Sequence, residues 1–196
     1  MSAAPLAAVV LDTLAAPPDP ELDRVVGPGA AQRLRAELRA LARRWAALTA
    51  PDRAFEATTP GAASMALRDH AGPVVLVAPD VPVLGPAHTE LVRADLAAGA
   101  GVVVGATHDG TPYLRAFAMT DPELLELAGA SFEALMAAAH ERGLELAAAR
   151  HERRLVTASD ARALALDPLA SPELVAHLGN LRGLRTTTDA PSPDME

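Results

Sequence analysis

Two kinds of apolar pattern alternate along this chain. Ala7–Leu11, Val74–Ala78 and Gly101–Gly105 are short and continuously apolar. Such runs predict strands buried on both faces. Between them, Ala30–Leu48 places Leu34, Leu38, Leu41 and Trp45 at helical spacing, with Arg33, Arg35, Arg39, Arg43 and Arg44 mostly elsewhere. This predicts an amphipathic helix. Further strands are expected at Arg53–Ala57, Tyr113–Met119 and Leu144–Ala149. Helices are expected at Ala62–His70, at Pro86–Ala98 ended by Gly99, and at Ser131–Arg142 ended by Gly143. Ser159 is read as the cap of a helix starting at Asp160, and Ser171 as the cap of one running to Leu178. Ala15–Gly29 reads as a Pro-rich loop, and there is no internal repeat.

Strands alternating with helices predict βαβ crossovers and a mostly parallel sheet covered on both faces, a three-layer α/β/α sandwich of Rossmann-like type. Val74–Ala78 and Gly101–Gly105 are expected to be adjacent, parallel and central. The length of 196 residues suits one domain, expected over residues 1–185, with a polar, Pro-rich and disordered tail over 186–196.

Composition narrows the chemistry. With no cysteine, disulfides, thiolate metal sites and Cys nucleophiles are excluded. Every basic residue other than His is Arg, so Schiff-base lysines and a Walker lysine are excluded too. The net charge of −8 argues against a nucleic-acid partner. No apolar run reaches the roughly 20 residues of a membrane span. The opening stretch lacks a basic region and Asp12 interrupts it, so no signal peptide is expected and a cytoplasmic location is. The sequence leaves the oligomeric state open.

Ligands of such sheets bind at the carboxyl ends of the strands, which directs attention to two loops. The first follows Ala78, where Asp80 could hold a divalent cation or a ligand hydroxyl, or simply stabilise a turn. The second is Gly105–Leu114, whose Asp109-Gly110 pair is a strong hairpin signal; His108 there reads most simply as solvated. His88 and His140 fall on helices, and the Arg-rich helix reads as a solvated face. Ser64 and Ser131 sit in no nucleophile elbow, and no G-x-G-x-x-G follows the first strand.

Four stretches in order, V74-VLVAPDVPVL, G101-VVVGATHDGTPYL, S131-FEALMAAAHERGLEL and L155-VTASDARAL, resemble a bacterial family of uncharacterised glycosyltransferase-like proteins in the nucleotide-diphospho-sugar transferase (GT-A) superfamily. The 2-phospho-lactate guanylyltransferases are a more distant match. The resemblance covers residues 74 to 165 well and the first 70 poorly. It implies glycosyl or nucleotidyl transfer from a bound nucleotide or nucleotide-sugar. It makes Asp80 the ligand of a divalent cation, Mg²⁺ or Mn²⁺, which would neutralise the diphosphate leaving group. It puts Asp109, as the catalytic carboxylate, with Gly110, Thr111 and Tyr113 on the acceptor side.

The departures are specific. The family's phosphate-binding loop carries a Lys; here P17-PDPELDRVVGPG has acids, and only Arg24 or Arg33 could reach a phosphate. The late D-V-D-T becomes L155-V-T-A, so Val156 or Thr157 stands where a second metal carboxylate belongs. Asp160 is near, but its simplest role is at its own helix start. The site is therefore expected to be degenerate, with weak metal binding. A non-catalytic binding or regulatory relative is the alternative reading.

Overall fold

The computed structural model describes residues 5–108, 110–168 and 170–178. Expected residues Asp109 and 179–196, the tail among them, lie outside that description. Six strands form one sheet: β1 (Ala7–Leu11), β2 (Ala54–Ala57), β3 (Val74–Val77), β4 (Val102–Ala106), β5 (Pro112–Phe117) and β6 (Leu146–Ala148), in the order β2-β1-β3-β5-β4-β6. Every residue of β1 and β3 is buried, as unbroken apolar runs require. The sheet is flanked by helices, a three-layer arrangement. Among the described residues, no helix is long and apolar enough to cross a membrane.

The expected adjacency of the Val74–Ala78 and Gly101–Gly105 strands is corrected. They do run in the same direction, but β5 lies between them, antiparallel to both. The reason is the hairpin signal itself. The turn after β4 sends β5 straight back along it, and the other edge of β5 then pairs with β3, Leu76 opposite Arg115. This insertion brings the amino end of β5 to the carboxyl ends of β1, β3 and β4.

Eight α-helices are described: α1 (Pro20–Val26), α2 (Pro28–Thr49), α3 (Pro60–Ala66), α4 (Pro86–Ala97), α5 (Pro122–Glu126), α6 (Phe132–Glu141), α7 (Ala158–Leu166) and α8 (Pro172–Ala176). The expected loop Ala15–Gly29 holds α1. Its start signal was present: Asp19 accepts the Glu21 N–H at 2.8 Å, and Pro20 opens the first turn. The acids that looked like an intrusion in a phosphate loop are thus partly helix-start residues. The helix expected from Asp160 begins two residues earlier. Thr157, not Ser159, is its cap: Thr157 Oγ1 accepts the Asp160 N–H at 3.1 Å, and Asp160 Oδ2 accepts the Thr157 N–H at 2.9 Å.

The long helix α2 serves two apolar clusters. Ala42, Trp45 and Ala46 join the core around the sheet, whereas Leu34 and Leu38 join Leu22, Leu155, Leu164 and Leu174 in a cluster built from α1, α7 and α8. Its arginines are not merely solvated. Arg39 pairs with Asp12 at 2.7 Å, Arg43 with Glu56 at 2.7 Å, and Arg35 with Asp23.

Gly105 in β4 is required by close packing. A Cβ there would lie 2.8 Å from the ring of Tyr113, which is fully buried on the neighbouring strand. Gly105→Ala is expected to destabilise the protein by about 1–3 kcal/mol through overpacking, read by urea denaturation. An unchanged midpoint would show that the ring moves aside freely.

Candidate functional site at the carboxyl edge of the sheet

The candidate site assembles where the carboxyl ends of β1, β3 and β4 meet the amino end of β5. After β6, residues 150–156 run as a strap across this edge. Arg150 O accepts the Tyr113 hydroxyl at 3.1 Å, the Glu152 N–H reaches Ala106 O at 3.2 Å, and the Leu155 N–H reaches Asp80 O at 2.9 Å. Glu152 makes an isolated parallel bridge with Thr107, and burial alternates from His151 to Arg154. Glu152 and Arg154 point inward and are buried; His151 and Arg153 are exposed. The His151 ring stacks against that of His108 with centroids 6.1 Å apart.

Arg154 is the centre of this edge. Its side chain is only 6% exposed. Its Nη1 donates to Asp80 Oδ2 at 2.9 Å and to Leu14 O at 2.6 Å, and its Nη2 donates to Pro112 O at 2.5 Å. One guanidinium therefore ties together the 3-10 turn after β1, the loop after β3 and the start of β5. Asp80 Oδ2 also accepts the Ala16 N–H at 2.9 Å. Burial pushes the Asp80 carboxyl above its ordinary range, while Arg154 and the Ala16 N–H pull it back in part.

A second buried pair lies beside the first. Gly85 N–H donates to His88 Nδ1 at 3.2 Å, which places the imidazole proton on Nε2, where it is donated to Glu152 Oε1 at 3.1 Å. Arg150 Nε also meets Glu152 Oε1, at 2.5 Å. Tyr113 packs edge-on against the His88 ring. Burial lowers the His88 pKa below 6.5, opposed in part by Glu152. The unfolded chain therefore binds more protons than the folded one once pH drops below 6.5. The stability that neutral His88 contributes is complete above that value and is lost as pH falls through the lowered folded-state pKa. The melting temperature should decline with acidification in this window, and less steeply in His88→Gln. Equal slopes would assign the decline to other groups.

The expected site residues divide as follows. Asp80 is at the carboxyl edge, and Arg154 links it directly to Pro112, so the β3 loop and the β4–β5 hairpin do share that edge. Gly110 and Thr111 sit in the hairpin turn. Gly110 has φ +83°, and Thr111 O accepts the Thr107 N–H at 2.8 Å. Asp109 lies outside the described residues. Tyr113 is fully buried, with its hydroxyl on the Arg150 carbonyl, and burial raises its pKa. Arg24 and Arg33 are exposed on α1 and α2. Asp160 is turned to its own helix start; Oδ2 accepts from Thr157 Oγ1 at 2.8 Å as well as from the Thr157 and Val156 N–H groups. Arg154, Glu152 and His88 form the buried centre, and sequence reading singled out neither Arg154 nor Glu152.

A cavity of about 260 Å³ opens here, lined by Ala16, Thr107, His108, Arg153, Thr157 and Asp160 among others. It is slightly smaller than the roughly 300–1,000 Å³ of usual ligand pockets. A larger groove, about 950 Å³, lies at the opposite edge between Leu6, Pro73, Arg53 and Arg93. The carboxyl edge is the better candidate, because buried ionisable groups converge there and its position agrees with where such sheets bind ligands.

The residues at this edge do not fit a divalent cation. Mg²⁺ and Ca²⁺ collect several oxygen ligands, carboxylates foremost. Asp80 accepts two hydrogen bonds on Oδ2 and leaves Oδ1 buried without a partner, so it offers a cation a single oxygen; Asp160 faces its own helix, and among the described residues no three His, Cys, Asp or Glu side chains group to hold a metal.

The six-stranded sheet, with one antiparallel strand inserted in an otherwise parallel order and helices around it, has the Rossmann-like fold of nucleotide-diphospho-sugar transferases. In particular, the chain is similar to a crystal structure from Desulfovibrio desulfuricans described as a "putative nucleotide-diphospho-sugar transferase". The TM-score is 0.64 at 18% identity, covering 93% of this chain and 98% of that one. Two crystal structures of Rv0371c from Mycobacterium tuberculosis, one a complex with manganese, match with TM-scores of 0.42 and 0.43 at 17% and 18% identity, each covering 83% of this chain and 98% of the other. No family model matches the sequence, and no curated protein does.

Proposed function

We propose that this chain binds a nucleotide or nucleotide-sugar at the carboxyl edge of its sheet and is a glycosyl- or nucleotidyl-transferase with a degenerate metal site. The observation that carries this reading is the convergence of the β1, β3 and β4–β5 loops on the buried Asp80–Arg154 pair, beside a cavity, in a sheet of transferase type. On this reading Gly110 and Thr111 contact the acceptor side, Asp109 supplies the catalytic carboxylate, and Arg24 and Arg33 are the phosphate contacts. The test is calorimetric titration with nucleoside diphosphates and their sugar conjugates, with and without Mn²⁺. Micromolar binding weakened at least tenfold in Asp80→Asn is the expected result. No heat from any common nucleotide in either condition would sink the proposal.

A second reading, a non-catalytic binding or regulatory relative, is favoured by one observation: the expected metal carboxylate is engaged by Arg154. It predicts nucleotide binding without release of nucleoside diphosphate from any bound sugar conjugate.

A further inference from the structure

We propose that the Arg154 guanidinium stands in the position of the divalent cation and makes this site metal-independent. The guanidinium is surrounded as a hard cation would be. It is held by three oxygens, the carboxylate of Asp80 and the carbonyls of Leu14 and Pro112, contributed by three separate segments. Carboxylate and carbonyl oxygens are also what Mg²⁺ and Ca²⁺ select. The side chain is covered by the strap that carries it, since the Leu155 N–H is bonded to Asp80 O one residue further on.

The charge balance follows. Asp80 is neutralised by a group that is always protonated and covalently attached. A metal entering at Asp80 would have to displace Arg154 or sit beside its positive charge. Where the family resemblance puts a second carboxylate that could offset that repulsion, Val156 or Thr157 stands instead, and the N–H groups of both go to Asp160. Arg154 thus performs the structural part of a metal's work, joining segments at the carboxyl edge, with its hydrogen bonds going to the protein oxygens of Asp80, Leu14 and Pro112. The Lewis-acid part has no counterpart here. Any diphosphate bound at this edge is therefore held without a bridging ion.

This inference rests on the proposed location of the site but not on nucleotide binding, and its test separates the two. Mn²⁺ is titrated into the wild-type protein and followed by electron paramagnetic resonance, with melting temperatures taken in EDTA and in millimolar Mn²⁺. No stoichiometric Mn²⁺ and identical melting temperatures are expected. One equivalent bound by the wild type and lost in Asp80→Asn would overturn the inference. Where Arg154→Ala folds, Mn²⁺ should raise its melting temperature, and should not do so in Asp80→Asn/Arg154→Ala. A folded Arg154→Ala protein that ignores Mn²⁺ would also overturn it, and if this variant does not fold the wild-type titration decides alone. Nucleotides titrated in EDTA complete the separation. Binding that requires Mn²⁺ contradicts the inference and leaves the functional reading standing. No nucleotide binding, with no Mn²⁺ binding, does the reverse.

Discussion

Arg154→Ala is expected to destabilise the protein by about 3–5 kcal/mol, the cost of breaking a buried ion pair by removing one partner. Asp80 would keep a buried carboxylate with only the Ala16 N–H to meet it, and the carbonyls of Leu14 and Pro112 would lose their donor. The three loops that form the carboxyl edge would also lose their common tie. Urea denaturation measures the change. The pair interaction is isolated by a double-mutant cycle with Asp80→Asn. Because the two groups share one contact, the double variant should be clearly less destabilised than the sum of the singles. Additive losses would mean that Asp80 and Arg154 contribute independently and that the edge is not organised by their pairing.

Arg115→Ala should cost a similar amount, about 3–5 kcal/mol, for a different reason. Arg115 lies in β5 between Leu76 and Val104 and is fully buried. Its guanidinium donates to the carbonyls of Leu127 and Ala130, so it holds the 3-10 turn Leu127–Gly129 and the entry to α6 against the sheet. Burial lowers its pKa to about 10, which still leaves it charged at neutral pH. Truncation would leave a large core void, take the guanidinium donor from the Ala130 carbonyl, and leave the Leu127 carbonyl with only the Ala130 N–H. Because the partners are carbonyls rather than a carboxylate, Arg115→Met should cost much less than Arg115→Ala: it fills the space and strands no opposite charge. Equal losses in the two variants would show that the hydrogen bonds, not the volume, dominate.

The strands were legible because local chemistry decides them. Val74–Val77 and Val102–Ala106 are apolar runs that only burial on both faces satisfies, and Asp109-Gly110 correctly signalled the turn into β5. Strand order was not legible, because nothing within β3 or β4 records that β5 pairs with both. The start of α1 was legible in Asp19 and Pro20 but hidden by the surrounding prolines. At the start of α7, Thr157 and Ser159 both suit a cap, and only Thr157 has a carboxylate three residues on to complete the reciprocal bond. Asp80 stood out as a carboxylate just past a buried strand. Arg154 did not, because in A149-RHERRL it is one of three arginines. Only the tertiary path of the strap turns it inward while Arg153 faces solvent. Tyr113 was read as an acceptor-side aromatic, but β5 is buried on both faces from Tyr113 onward, and the ring lies in the core against His88 and Gly105.

The proposed ligand site is the carboxyl edge around Asp80 and Arg154. The most direct measurement is a backbone amide NMR titration with a nucleoside diphosphate. Shift changes should concentrate at Ala16, Asp80, Thr107 to Thr111 and Glu152 to Asp160. Changes concentrated instead at Leu6, Arg53, Gly72 and Arg93, around the larger groove at the opposite edge, would contradict the account.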